Sequence, residues 1–230
     1  MVDRPAYCRP EAIEALRREL PGAHTPMGLA RAACAIAQHA DDSANADRVE
    51  DQLRRLGDAV RGRLKSSQHD AALAHLHDVL FDLIGFRGAE QEDYYNPLNS
   101  YLPAVLDRRR GIPISLVLVY RAVADCVGVR VEGVNSPGHF LAAVHRPEAV
   151  GVDYVDPFYS GALLTPEEAA ARVEAVIGQP LPPEVNPLPQ ATPAAWLRRM
   201  LMNLQAIFAR SQQERDLLAM QELETLLPAE

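Results

Sequence analysis

"RRRGIPISLVLVYRAVADC", residues 108–126, sets a basic turn, a glycine and a proline in front of a run that is apolar on almost every side. Proline suits the first turn of a helix, where its missing N–H has no intrahelical partner to lose. The stretch predicts a helix over 113–127 that is buried all round rather than along one stripe. A helix of that kind lies at the centre of a fold, so its neighbours decide the fold class.

Downstream the hydrophobic period changes from helical to alternating. "VRVEGVN" sets Val129, Val131 and Gly133 against Arg130 and Glu132, and "HFLAAVH" and "VGVDYVD" follow as two further strand candidates with a turn around Arg146-Pro147. Intervals this short predict an antiparallel meander. On the second strand His139, Leu141, Ala143 and His145 share a face, and on the third Val150, Val152, Tyr154 and Asp156 do. His139 and Asp156 are therefore expected to meet on one face of the sheet.

Upstream, four segments read as helices: "RPEAIEALRREL", "TPMGLARAACAIAQHA", "NADRVEDQLRRLGDAVRGRL" and "HDAALAHLHDVLFDLIGFRG". Val49, Leu53, Leu56, Val60 and Leu64 recur at steps of three and four, which gives one apolar face under a charged surface. His75 and His77 lie about 200° apart on a helix and cannot share one ion. With Asp78 they are expected at the surface, and no metal or cofactor is predicted. Asn99-Ser100 is placed to start a short helix. "GQPLPPEVNPLPQATP" reads as an extended connector. Thr192-Pro193 then starts the first of two helices that close the chain as a hairpin.

The predicted class is α+β: a buried helix on a small antiparallel sheet, preceded by a helical layer and followed by a helical hairpin. The expected segments are a helical region (1–105), the core (106–178), the proline-rich connector (179–193) and the hairpin (194–230), together forming one compact unit.

Across its 230 residues the chain carries a formal charge of -8, with 48% hydrophobic and 23% charged residues. An acidic chain of ordinary hydrophobicity folds, but lacks the basic footprint of a nucleic-acid binder. Arg108, Arg109 and Arg110 form the one dense basic run and are read as a solvated turn or ion-pair partners. The three cysteines, Cys8, Cys34 and Cys126, are widely spaced and without a CxxC, so neither a disulfide framework nor a zinc cluster is indicated. No stretch approaches a membrane span and no export address is visible, so a reducing cytoplasm is the expected setting.

A helix, a strand bearing a His and a strand ending in Asp follow the order of the transglutaminase and papain-like core. There a Cys at the helix start is activated by the helix dipole and a neighbouring His, which the acid orients. "YYNPLNSYLPAVLDRRRGIPISLVLVY", "VEGVNSPGHFLAAV" and "YVDPFYSGALLTPEEA" resemble the successive signatures of the bacterial SirB-type transglutaminase-like family, closely over about residues 75–170. The resemblance implies a transglutaminase-like core with a helical-repeat-like hairpin after it. Pro137-Gly138-His139 resembles the motif supplying the histidine, and Asp156-Pro157 the one supplying the acid. In the related cysteine enzymes the nucleophile follows a Gly by two positions, which is Pro113 here. The glycine-rich stretch after Asp-Pro-Phe also departs, reading Tyr159-Ser160-Gly161.

Could another residue stand in for the thiol? Cys126 lies thirteen positions past Pro113, roughly 20 Å down the helix, and is expected as a small buried hydrophobe. Ser115 is in the first turn, but two positions rotate its side chain by about 200° from that of Pro113. Two functions are expected in consequence. The leading one is a transglutaminase-like protein without thiol catalysis that binds a peptide or protein partner. Its competitor is a hydrolase or acyl transferase using Ser115, His139 and Asp156.

Overall fold

The computed structural model describes residues 6–65, 68–147 and 151–228. The helical layer consists of α1 (Pro10–Glu19), α2 (Pro26–Ala37), α3 (Ala46–Arg61) and α4 (His69–His77), with α4 prolonged by a wider turn over Asp78–Leu83. A two-residue strand, β1 (Arg87–Gly88), and a turn-rich stretch lead to α5 (Leu102–Arg108). Next come β2 (Arg110–Gly111) and the central helix α6 (Pro113–Asp125). The strands β3 (Val131–Val134), β4 (Leu141–His145), β5 (Val152–Asp156) and β6 (Ala162–Leu164) pair antiparallel in sequence order. The chain continues through α7 (Pro166–Ile177), α8 (Pro193–Arg210) and α9 (Glu214–Glu224).

This is the expected α+β arrangement, with the meander extended by β6. Three helices start with the same device: Thr25, Thr165 and Thr192 each precede a proline, and each side chain accepts an N–H of the first turn. The proline presets φ while the threonine oxygen satisfies an orphan donor, worth about 1 kcal/mol per cap.

Residues 113–120 of α6 are buried throughout. The helix packs on α2 and α3 on one side and on β3 and β4 on the other. Alternation along β4 then separates two faces. Ala142 and Val144 join the main core with α6, while Leu141 and Ala143 join a smaller cluster with Ala169 of α7. The sheet is therefore covered on both faces, which explains why four consecutive residues of β4, Leu141 to Val144, are buried.

The proline-rich connector makes a turn in which Val185 N donates to Pro182 O at 2.9 Å, and it is pinned to the sheet. Pro189 O accepts from Asn135 N at 2.9 Å, Gly133 O accepts from Ala191 N at 2.8 Å, and Ser136 Oγ donates to Pro187 O at 2.7 Å. The connector thus covers the open edge of β3, where unpaired backbone groups would otherwise face solvent. α8 follows and inserts Trp196 against Phe140, the ring centroids 4.7 Å apart. Gly133 lies directly under the indole, and any side chain there would overlap it. Trp196, Leu197, Leu204 and Phe208 belong to the same core cluster as α1, α2 and α6, so the hairpin and the central helix share one hydrophobic interior.

Two expectations need correction. His77 is not a surface residue: its Nε2 stands 2.9 Å from Tyr120 Oη and its ring makes an edge contact with Phe81. Burial holds this imidazole below its ordinary pKa. Cys126 is half-buried rather than buried, with Sγ 3.4 Å from Ala122 O.

Candidate functional site

His139 and Asp156 meet as the strand order predicts. Nε2 of His139 lies 2.9 Å from Oδ2 of Asp156, with the imidazole 4% and the carboxylate 0% exposed. Asp156 is tied down at three points. Its Oδ1 accepts from Phe158 N at 3.2 Å, capping the 3-10 turn Pro157–Tyr159, and its Oδ2 also faces Arg172 Nη1 at 3.1 Å. A carboxylate without solvent needs such partners, because an uncompensated buried charge is costly. In the tautomer with its proton on Nε2, His139 donates to the acid and presents Nδ1 as an acceptor, the arrangement required of a general base.

The turn after Asp156 builds the wall of the site. Phe158 and Tyr159 each place a ring centroid 6.3 Å from that of His139, and the Arg172 guanidinium lies 4.4 Å over the Tyr159 ring. Ser160 occupies the left-handed region at φ 52°, and Gly161 follows at φ 76° with its N–H donating to Asp156 O. Ser160 lies in the stretch that the resemblance expects to be glycine-rich, and a residue with a side chain is uncommon at this φ.

A chain of contacts brings the start of α6 to this site. Gly111 pairs with Gly88 across β1 and β2, Gly88 lies against the Phe158 ring, and the turn bearing Phe158 packs on α6. Pro113 is the first residue of α6 and is buried. Ser115 is buried too, but its hydroxyl is committed elsewhere. Ser115 Oγ donates toward Asn99 O at 2.8 Å and Ile112 O at 2.9 Å. No hydrogen bond joins Ser115 to His139 among the described residues, so the structure gathers His139 and Asp156 and leaves Ser115 out.

Asn99 is the unforeseen organiser. Fully buried, it donates from Nδ2 to Asp93 O, accepts from Arg108 Nη1 at 3.0 Å and offers its carbonyl to Ser115 and to Ile112 N. Arg108 also pairs with Asp93 at 2.8 Å, so that arginine is an ion-pair partner as its run predicts. The hydrogen bonds to Asn96 and Arg108 hold the Asp93 carboxyl below its usual range.

The thiols lie elsewhere. Cys8 and Cys34 are buried, and desolvation pushes each up to about 12, while burial also raises Cys126 at the far end of α6. Thiols so shifted are almost wholly protonated at neutral pH. Among the described residues no group of three or more His, Cys, Asp or Glu side chains is placed to hold a metal ion, and no helix is long and apolar enough to cross a membrane.

The family model described as the transglutaminase-like superfamily matches residues 47–202. The chain belongs to the transglutaminase-like superfamily. The chain is similar to a UPF0162 protein of Xylella fastidiosa, 37% identical over 145 residues, which are 60% of this chain and 50% of that protein. A UPF0162 protein of Pseudomonas aeruginosa is 32% identical over 192 residues, 80% of this chain and 66% of that protein. The F-box only protein 21 of Mus musculus is 44% identical over 107 residues, 44% of this chain and 16% of that protein. The chain thus spans about half the length of the Xylella relative. No solved structure gives a significant match.

Proposed function

We propose that this transglutaminase-like chain is a non-catalytic module that binds a peptide or protein segment on the tyrosine-bearing surface next to His139. One observation carries the reading: the His139–Asp156 pair is complete and held by Arg172, yet Pro113 stands at the start of α6 and the Ser115 hydroxyl is bound to two carbonyls. A histidine–acid pair without a nucleophile at hand lacks the group that forms the covalent intermediate. Tyr95 and Tyr159, 52% and 51% exposed, offer the aromatic surface that peptide-binding sites favour. The serine hydrolase or acyl transferase reading requires Ser115 to turn away from Asn99 and Ile112, and nothing in its surroundings favours that.

The test is selection of a phage-displayed peptide library on the full chain, with an ammonia-release assay on glutamine-containing peptides run beside it. The reading expects an enriched peptide family, affinity retained in His139→Ala, affinity reduced about tenfold in Tyr159→Ala, and no ammonia. Ammonia release that disappears in His139→Ala would overturn it, as would the absence of any enriched peptide.

A further inference from the structure

A cavity of about 480 Å³ lies between α4 and the β5–β6 side of the sheet. α4 turns Asp70, Leu73, Ala74 and His77 toward it, the spacing of a single helix face. Ala72 and Leu76, elsewhere on the helix, enter the core instead. Facing α4 across the space are Leu163 of β6, which is 59% exposed, and Pro166 at the start of α7. Voids left by imperfect packing seldom exceed a water molecule, so a space of this size is a pocket rather than a packing fault. It is also remote from the histidine–acid pair. Asp153, which lines it, and Asp156, which holds His139, are three positions apart on β5, and alternation sets them on opposite faces of the sheet.

The charges around this apolar space are unbalanced. Asp70, Asp153 and Glu168 line it against one guanidinium, that of Arg146, which leaves two negative charges in excess. Arg146 is already paired with Asp153. Glu168 uses Oε2 to accept from Thr165 N at 2.8 Å in the cap of α7, and its other oxygen remains. Among the described residues the Asp70 carboxylate makes no hydrogen bond or ion pair. An occupant that satisfies this lining needs an apolar body for Leu73, Leu163 and Pro166 and a positive end for Asp70 and Glu168. Lysine and arginine are the side chains that combine an aliphatic stem with a permanent charge. Of the two, a guanidinium is more weakly hydrated and carries donors enough to reach carboxylates on two different elements at once.

We propose that this cavity docks an arginine side chain of a protein partner, its aliphatic stem between Leu73 and Leu163 and its guanidinium at the Asp70 and Glu168 carboxylates. The site goes beyond peptide binding beside His139 and does not depend on it. Asp70 stands on a helix and Glu168 on the first turn of another, so both carboxylates are presented by ordered backbone.

The full isotopically labelled chain provides the test, through its methyl and amide resonances at constant ionic strength. The probe is an acetylated, amidated pentapeptide with one arginine between two pairs of alanines. Three further peptides replace the arginine with citrulline, lysine or glutamate, citrulline being its neutral counterpart of the same shape. Expected is a saturable shift of the Leu73, Ala74 and Leu163 methyl groups with the arginine peptide. Affinity should fall about tenfold with citrulline, by less with lysine, and altogether with glutamate. Asp70→Asn combined with Glu168→Gln should weaken arginine binding about tenfold as well. Glutamine keeps an oxygen for the Thr165 cap, and an unchanged thermal midpoint shows that the fold survives. Citrulline or lysine bound as tightly as arginine, or binding unmoved by the double substitution, would overturn the proposal, as would the lack of any saturable shift at these methyl groups. Shifts confined to the surroundings of Tyr159 would overturn it too, while supporting the separate surface beside His139.

Discussion

Arg172 and Asp156 form an ion pair at 3.1 Å in which the carboxylate has no solvent exposure and the arginine lies 27% exposed. The same carboxylate oxygen holds His139. Removing the arginine leaves the acid buried with one fewer positive or donating partner. Arg172→Leu is expected to lower unfolding stability by about 1–3 kcal/mol, discounted from a fully buried pair because Arg172 meets solvent. Urea denaturation of the variant measures it, and an unchanged midpoint would show that the bond to His139 suffices.

His77 gives the protein a stability loss on the acid side of neutrality. Its pKa is lowered in the folded chain by burial, so the unfolded state binds a proton first and stability falls as pH drops below the ordinary imidazole value of about 6.5. In the protonated imidazole Nε2 donates, so the Tyr120 hydroxyl, 2.9 Å away, must accept. Urea midpoints of wild type and His77→Gln at pH 7.5 and pH 5.5 are the comparison. The expected result is a larger drop in wild type than in the variant.

Gly133 is where the sheet and the C-terminal hairpin touch. A methyl group there overlaps the Trp196 ring, and the core around the indole, with Phe140 and Leu197 fully buried or nearly so, leaves it little room to retreat. Gly133→Ala is expected to cost about 1–3 kcal/mol through overpacking, visible as a fall in the thermal midpoint.

Much of this fold is written locally. The Thr-Pro starts of α2 and α8, the apolar face of α3 and the burial of α6 over residues 113–120 each follow from neighbouring residues. The pairing of His139 with Asp156 follows from strand order and alternation. α7 is harder to read, because its Ala- and Glu-rich turns bury only Ala169 and Val173. The signal was the capping box at Thr165 and Glu168, which precedes no strong apolar run. Strand β6 is three residues long, too short to show a period. What no local pattern reveals are the long-range ties: Arg172 to Asp156, Asn99 to Ser115, and Arg199 to Asn135 across 64 positions. The tethering of residues 6–8 by the Glu222 carboxylate belongs with them. Each depends on packing between elements, which residue type and spacing do not encode.

The proposed absence of thiol catalysis requires Pro113 to stand where a nucleophile would face the His139–Asp156 pair. The most direct measurement is the pH dependence of iodoacetamide labelling in Pro113→Cys and in Pro113→Cys combined with His139→Ala, with the labelled cysteine identified by mass spectrometry. A thiol at the start of α6 beside His139 should label with a midpoint well below the ordinary cysteine value of about 8.5, and the midpoint should rise when His139 is removed. A midpoint at the ordinary value, unmoved by His139→Ala, would contradict the placement of Pro113 in the site.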